Sequence, residues 1–177
     1  MEGADRIFLV GPMGVGKTTI GRRLASALAK TFVDSDHEIE KRTGVDIPLI
    51  FELEGEAGFR RRESRVIDEL TQWPAVVLAT GGGAVLDPQN RQHLRERGFV
   101  VYLHASLDRL LERTARDKRR PLLQTEDPRA RLQQILEQRG PLYEQVADLK
   151  VSTNGRNVRK VVREILSCYR GRGSGNH

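Results

Sequence analysis

Residues Gly11 to Thr18 read G-P-M-G-V-G-K-T, which fits the pattern G-x-x-x-x-G-K-[ST] at every fixed position. The apolar run Ile7 to Val10 comes before it and predicts a buried strand. After it, Ile20, Leu24 and Leu28 recur every four residues, which predicts a helix with one apolar stripe. A strand, a glycine-rich loop and a helix in this order are typical of a phosphate-binding loop, because backbone N–H groups and the helix N-terminus then surround an anion.

Two side chains of this loop are suited to nucleotide chemistry. Lys17 can reach the β- and γ-phosphates, and the Thr18 hydroxyl can ligate Mg²⁺. The motif therefore predicts binding of a nucleoside triphosphate with Mg²⁺. The alternative from the residues alone is a glycine-rich turn that binds no ligand.

Composition limits the class of protein. The chain has 177 residues with 38% hydrophobic and 31% charged content, which predicts a soluble globular protein. We expect one domain over residues 1–170 and a disordered tail over 171–177. No apolar run approaches the roughly 20 residues of a membrane span, and the N-terminus lacks the layout of a signal peptide. Cys168 is the only cysteine, so we expect a reducing cytoplasm and a thiol buried in the core.

The net charge of +6 fits either a nucleic-acid binder or an enzyme acting on anionic small molecules. Aromatic residues make up only 5% of the chain, which disfavours a base-stacking surface. Basic residues are also dispersed among acidic ones. The charge pattern therefore favours the enzyme.

Strand-like runs alternate with helical patterns along the chain, which predicts a parallel sheet covered by helices. The runs are 7–10, 31–33, 76–79, 99–103 and 149–152. Gly44 is expected to stop one helix, and Pro48 to open a short one before a longer helix marked by Phe59 and Leu70. A later helix is expected to end near 139–141. Residues 115–127 are basic and aperiodic, which indicates a mobile loop.

Acidic residues follow the second strand rather than the third. The strand at 76–79 ends without the carboxylate of a Walker B strand, and no guanine-recognition motif N-K-x-D occurs. Asp34 and Asp36 are then the best candidates for the two carboxylate roles. One can serve the metal, and the other can face an acceptor hydroxyl. If this segment is extended, the two side chains point the same way. The alternative is an Asp-Ser-Asp helix cap.

A run of three glycines, Gly81 to Gly83, follows the third strand. Ordering three consecutive glycines costs conformational entropy, so a close approach of backbone to a ligand is a reason for them. A plain tight turn is the alternative. Arg60, Arg120 and Arg139 are individually weak signals, although Arg120 stands in the basic loop directly before Pro121.

Together these residues resemble the shikimate kinase family. The resemblance runs from about Arg6 to Tyr169. Six motifs carry it, in the family's order and approximate spacing: G-P-M-G-V-G-K-T-T, D-S-D, I-F-E-L-E-G-E-A-G-F-R, A-T-G-G-G, R-R-P-L-L and R-G-P-L-Y. The resemblance implies a P-loop α/β/α fold with a five-stranded parallel sheet of order 2-3-1-4-5, like nucleoside monophosphate kinases, and a lid over about 115–127. It also implies transfer of the ATP γ-phosphoryl group to the 3-hydroxyl of shikimate.

The resemblance also assigns roles by matching motifs. Asp36 would hold the acceptor hydroxyl, and Lys17 and Arg120 would stabilise the transferring phosphoryl group. Thr18 would bind Mg²⁺, with Asp34 acting through water. The residues expected to bind ATP are Gly11, Gly14, Val15, Gly16, Lys17, Thr18, Thr19, Arg113, Arg120 and Arg156. The residues expected to bind shikimate are Asp36, Arg60, Gly81, Gly82, Gly83 and Arg139.

The expected partners are ATP and shikimate, with Mg²⁺ and without nucleic acid or membrane, for a cytoplasmic monomer. Two other functions are weighed against this one. A related kinase of small hydroxy acids, such as a gluconate kinase, would share the phosphate loop and could also use a carboxylate clamp. A non-catalytic ATP- or RNA-binding module would not need the set Lys17, Thr18, Asp34 and Asp36.

Overall fold

The computed structural model describes residues 5–115 and 125–172. Five parallel strands form one sheet in the order β2-β3-β1-β4-β5. The strands are β1 (Ile7–Val10), β2 (Thr31–Asp34), β3 (Val76–Ala79), β4 (Phe99–His104) and β5 (Leu149–Ser152). This confirms the predicted sheet and its strand order.

Helices cover both faces of the sheet. They are α1 (Lys17–Leu28), α2 (Ser35–Thr43), α3 (Ile47–Leu70), α4 (Pro88–Arg97), α5 (Leu107–Thr114), α6 (Pro128–Val146) and α7 (Val158–Gly171). Alternate residues of β1 point to opposite faces, as the pleat requires. Ile7 and Leu9 pack with α1 and α7, whereas Phe8 and Val10 pack with α3 and α4. The sheet is thus buried on both sides.

The third helix is broken rather than divided by a loop. Gly55 has φ 72° and ψ 178° inside α3, so the helical segment from Ile47 and the longer one ending at Leu70 join directly at a kink. The short helix expected from Pro48 and the longer helix expected around Phe59 are therefore adjoining halves of one element.

The sixth helix is longer than predicted. It was expected to end near 139–141, but it continues through Pro141 to Val146. Proline removes one backbone hydrogen bond from a helix. Tyr143 and Val146, which are 1% and 3% exposed, bury their side chains in the core beyond it. This burial is a physical reason for the helix to continue.

Two further expectations at the C-terminus were wrong. Cys168 is exposed rather than buried. Gly171 closes α7 and Arg172 caps it, although both had been assigned to the tail. The remaining tail residues, 173–177, lie outside the described residues. So does most of the predicted lid, residues 116–124, including Arg120.

Candidate active site

The carboxyl ends of the parallel strands meet at one edge of the sheet, and the loops that leave them surround a cavity of about 410 Å³. Most residues predicted to bind ATP line this cavity, as do both candidate carboxylates and two of the three consecutive glycines. The predicted residues in its wall are Gly14, Val15, Gly16, Lys17, Thr18, Thr19, Asp34, Asp36, Gly81, Gly82, Arg113 and Arg156.

The phosphate loop joins β1 to α1 through backbone conformations that favour glycine. Gly11, Gly14 and Gly16 have φ of 147°, 81° and 102°. Gly16 is also the N-cap of α1, so the positive end of that helix faces the loop. The Lys17 ammonium donates hydrogen bonds to the carbonyls of Gly11 and Pro12, at 2.6 and 2.9 Å. The Lys17 side chain is therefore folded back over the loop.

Two arginines flank the phosphate loop side of the cavity. Arg113, in the last turn of α5, donates to the carbonyls of Gly14 and Val15 at 3.2 Å each. Arg156 follows β5 and is held by Glu164 and by the Ser152 carbonyl, at 2.5 and 3.2 Å. Both side chains line the cavity, and their predicted contact with a nucleotide stays a prediction.

Asp34 closes β2 and serves two neighbours at once. Its Oδ1 accepts from the His37 N–H and so caps α2. Its Oδ2 accepts from the Thr18 hydroxyl at 2.9 Å. The helix cap that the sequence offered as the alternative is therefore present, and it leaves Asp34 Oδ2 beside Thr18, the residue predicted to bind Mg²⁺.

The Asp-Ser-Asp segment is not extended, which corrects the geometric argument made from sequence. Helix α2 begins at Ser35, so Asp36 lies in its first turn. Ser35 accepts a hydrogen bond from the Gly81 N–H at 2.9 Å. This bond brings the start of α2 against the glycine turn, and Asp36 reaches the cavity from there.

The three consecutive glycines lie where other groups crowd the backbone. None of the three has a positive φ, so conformational freedom is not the reason for them. A β-carbon on Gly81 would come within 2.5 Å of Asp36 Oδ1 and 2.9 Å of Glu63 Oε2. One on Gly83 would overlap the Arg60 guanidinium. The glycines are thus needed for close approach, although the turn bond from Ala84 N–H to Gly81 O is also present.

Gly82 lies between the phosphate loop and the side chains that surround the glycine turn. A β-carbon there would lie 3.4 Å from the Met13 N and 3.6 Å from Arg139 Nη1. The glycine turn is thus bordered by Asp36, by both predicted clamp arginines and by the phosphate loop.

The two clamp arginines come from different helices, α3 and α6. Arg60 Nη1 donates to Glu63 Oε1 at 2.9 Å, and Glu63 is 1% exposed. Arg139 is 3% exposed, and burial together with the Arg60 charge lowers the pKa of its guanidinium. Burial raises the pKa of the Glu63 carboxyl, although the Arg60 charge favours its ionised form. The buried Arg139 and the partly exposed Arg60 thus both lie near the buried Glu63 carboxylate, and Arg60 also pairs with Glu56 at 3.4 Å.

Three residues at this site received no role from sequence. Glu63 lies three residues after Arg60 in the sequence, and this spacing does not reveal that its side chain is buried. Tyr143 donates from its hydroxyl to the Gly82 carbonyl at 2.5 Å. Ser35 was treated only as part of a cap. Ser35 and Tyr143 lie inside recognised motifs, and Glu63 lies three residues beyond the end of one, so the motifs were the only signal available.

Comparison with known proteins agrees with this geometry. The sequence model described as shikimate kinase matches residues 13–170. The chain belongs to the shikimate kinase family. A shikimate kinase of Thioalkalivibrio sulfidiphilus is 59% identical over 170 residues, covering 96% of this chain and 90% of that protein. The predicted family and enzyme class are thereby confirmed.

Solved structures place the fold in the same family. A shikimate kinase from Acinetobacter baumannii, in complex with shikimate, has a TM-score of 0.92 and 52% identity, covering 94% of this chain and 93% of that one. A gluconokinase from Sinorhizobium meliloti has a TM-score of 0.57 and 19% identity, covering 96% and 92%. That second likeness extends to the fold alone, so the gluconate kinase alternative is not favoured.

Within residues 5–115 and 125–172, no helix is both long and apolar enough to cross a bilayer. Over the same ranges, no cluster of three or more His, Cys, Asp or Glu side chains could hold a metal ion.

Proposed function

We propose that this chain transfers the γ-phosphoryl group of ATP to the 3-hydroxyl of shikimate, giving shikimate 3-phosphate and ADP. The observation that carries the proposal is the position of the glycine turn. Gly82 lies against both the phosphate loop and Arg139, and Gly83 lies against Arg60. The proposed carboxylate clamp and triphosphate site would therefore be adjacent, as a kinase of a small hydroxy acid requires.

Binding of the acceptor depends on the two guanidinium groups. Their planar forks suit a carboxylate, and the burial of Arg139 strengthens its attraction because little water competes there. Arg60 and Arg139 would hold the shikimate carboxylate, with the glycine turn against its ring. The ring hydroxyls would then face Asp36 at the start of α2.

Asp36 would accept the hydrogen of the attacking hydroxyl and so orient its oxygen. This oxygen forms a bond to the γ-phosphorus while the bond from that phosphorus to the bridging oxygen of ADP breaks. Lys17 would neutralise charge on the oxygens of the transferring group. Arg120 is assigned to the same task by its motif, and it lies outside the described residues.

The oxygen donors Thr18 and Asp34 fit Mg²⁺. This ion prefers oxygen ligands and usually keeps waters and substrate phosphates in its coordination shell. Thr18 would ligate it, and Asp34 would act through water. Bound there, Mg²⁺ would neutralise charge on the β- and γ-phosphates. We further propose that residues 1–170 act as one domain with a lid over about 115–127, and that the protein is a cytoplasmic monomer without nucleic-acid partners.

A coupled ADP assay with a panel of hydroxy acids tests the proposal. Shikimate should support turnover, while gluconate at the same concentration should not exceed the rate without an acceptor. Preferential turnover of gluconate would assign the chain to the other kinase class. No turnover with any acceptor, together with RNA binding that weakens steeply with salt, would favour the binding module.

A further inference from the structure

Tyr143 stands one helical turn after Arg139 on α6 and closes the motif R-G-P-L-Y, of which the proposed mechanism uses only the arginine. Its side chain is 1% exposed, and its ring lies 5.1 Å from that of Tyr102 in the core. A buried hydroxyl is costly unless it is hydrogen-bonded. The hydrogen bonds of the Tyr143 hydroxyl must therefore be identified, because packing of the ring does not account for them.

The hydroxyl links two parts of the substrate site. It donates a hydrogen bond to the Gly82 carbonyl oxygen at 2.5 Å, and it interacts with the Arg139 guanidinium, whose charge favours the ionised form of the hydroxyl. A guanidinium has only donors and a carbonyl only accepts. The Tyr143 O–H therefore donates to the Gly82 carbonyl, and the hydroxyl oxygen is the part of Tyr143 that can attract the Arg139 guanidinium.

Both groups beside the Tyr143 hydroxyl, the Arg139 guanidinium and the Gly82 peptide, need a partner to fix their orientation. Arg139 is 3% exposed, and its Nε has no hydrogen-bond partner. Gly82 stands in a run of three glycines, where the backbone has the most freedom to lose. No cis peptide occurs among the described residues, so the Gly83 N–H points away from the Gly82 carbonyl that Tyr143 holds. Fixing the carbonyl therefore also fixes where this N–H points.

We propose that Tyr143 is a positioning residue for the acceptor, because its hydroxyl holds the Gly82–Gly83 peptide against the shikimate ring and orients the neighbouring Arg139 guanidinium towards the shikimate carboxylate. The role rests on the proposed function, since it acts through a clamp residue for that substrate. If so, loss of the hydroxyl should weaken shikimate binding and leave nucleotide binding unchanged, whereas loss of the ring should reduce the stability of the fold.

Tyr143→Phe removes the hydroxyl and keeps the ring. Calorimetry should show the shikimate dissociation constant rising roughly tenfold, with that of ATP unchanged and the urea midpoint close to wild type. Tyr102→Phe is the matched control, because it removes the hydroxyl of the neighbouring buried tyrosine, and it should leave both constants unchanged. In an Arg139→Ala background, Tyr143→Phe should have a smaller effect on shikimate binding than in the wild-type protein, because one of the two groups that the hydroxyl orients is gone.

Three results would overturn the inference. One is wild-type shikimate affinity in a folded Tyr143→Phe protein. Another is an equal loss of ATP and shikimate affinity, which would indicate general loosening. The third is a full additional loss in the Arg139→Ala background. Failure of the wild-type protein to bind shikimate would instead remove the proposed function, and the inference with it.

Discussion

The Thr18 hydroxyl donates a hydrogen bond to Asp34 Oδ2 across 2.9 Å, which ties the start of α1 to the end of β2. The other Asp34 oxygen caps α2. A substitution that tests the proposed metal role of Asp34 must therefore preserve the N-cap of α2.

Asp34→Asn does so, since asparagine caps helices about as well as aspartate. We expect the variant to fold normally and to need a higher Mg²⁺ concentration for half-maximal rate, because the negative charge near the ion is lost. A magnesium titration of turnover measures this. An unchanged magnesium requirement would remove Asp34 from the metal site.

Asp36→Asn should lose most activity, by roughly a hundredfold or more, because the amide cannot accept the hydroxyl proton. High magnesium should not restore the rate. The same titration run on both carboxylate variants separates the two roles. Rescue of Asp36→Asn by magnesium, with none for Asp34→Asn, would reverse them.

Lys17→Met should reduce turnover by about 10²–10³-fold, since a charge-stabilising contact in the transition state is lost. Two bonds from Lys17 to loop carbonyls are lost as well, so circular dichroism and thermal unfolding should accompany the kinetics. Near-normal turnover with an unchanged spectrum would contradict the role given to Lys17.

Arg60→Ala and Arg139→Ala should each weaken shikimate binding by roughly ten- to a hundredfold and ATP binding far less, because each removes a charge-assisted contact to the carboxylate. Arg62→Ala is the control for the first, because Arg62 is on the same helix but pairs with Glu54 at the surface. Calorimetric titration of both ligands is the measurement.

Arg60→Ala also strands the buried Glu63 carboxylate, which can destabilise the fold by itself. The double variant Arg60→Ala with Glu63→Gln removes that charge and should show the same selective loss of shikimate affinity. An equal loss for ATP and shikimate would mean that the arginines do not form the clamp.

Gly81→Ala should impair shikimate turnover strongly, since the new methyl group would lie 2.5 Å from Asp36 Oδ1 and must displace it. Gly82→Ala is the comparison, because its nearest neighbour would be at 3.4 Å, and a smaller loss is expected. Steady-state kinetics of both variants measure the difference. Equal tolerance of the two substitutions would show that close approach is not the reason for Gly81.

The sequence predicted the strands and the phosphate loop because both depend on local patterns. Apolar runs and glycines at fixed spacing report on only a few neighbouring residues. The sequence prediction was wrong at α6. Pro141 suggested that the helix ends there, but the helix continues because Tyr143 and Val146 bury their side chains beyond it. The prediction also failed at Cys168, whose orientation on α7 a single residue does not reveal.

The candidate site was predictable to the extent that motifs name its residues. Asp36, Arg60 and Arg139 were assigned by resemblance, and the structure brings all three to one glycine turn. Their supporting partners were not predictable, since the Arg60–Glu63 pair and the Tyr143–Gly82 bond depend on how α3 and α6 pack over the sheet. The three glycines were expected to approach a ligand closely. In the structure they already adjoin the side chains that would hold it.

The most direct test of the account is ADP release by the wild-type protein with Mg²⁺ and ATP, measured with and without shikimate, with the product examined by phosphorus NMR. We expect release to depend on shikimate, with one phosphate monoester on the 3-hydroxyl for each ADP formed. ADP release that is the same without shikimate, or a phosphate on another hydroxyl, would contradict the account.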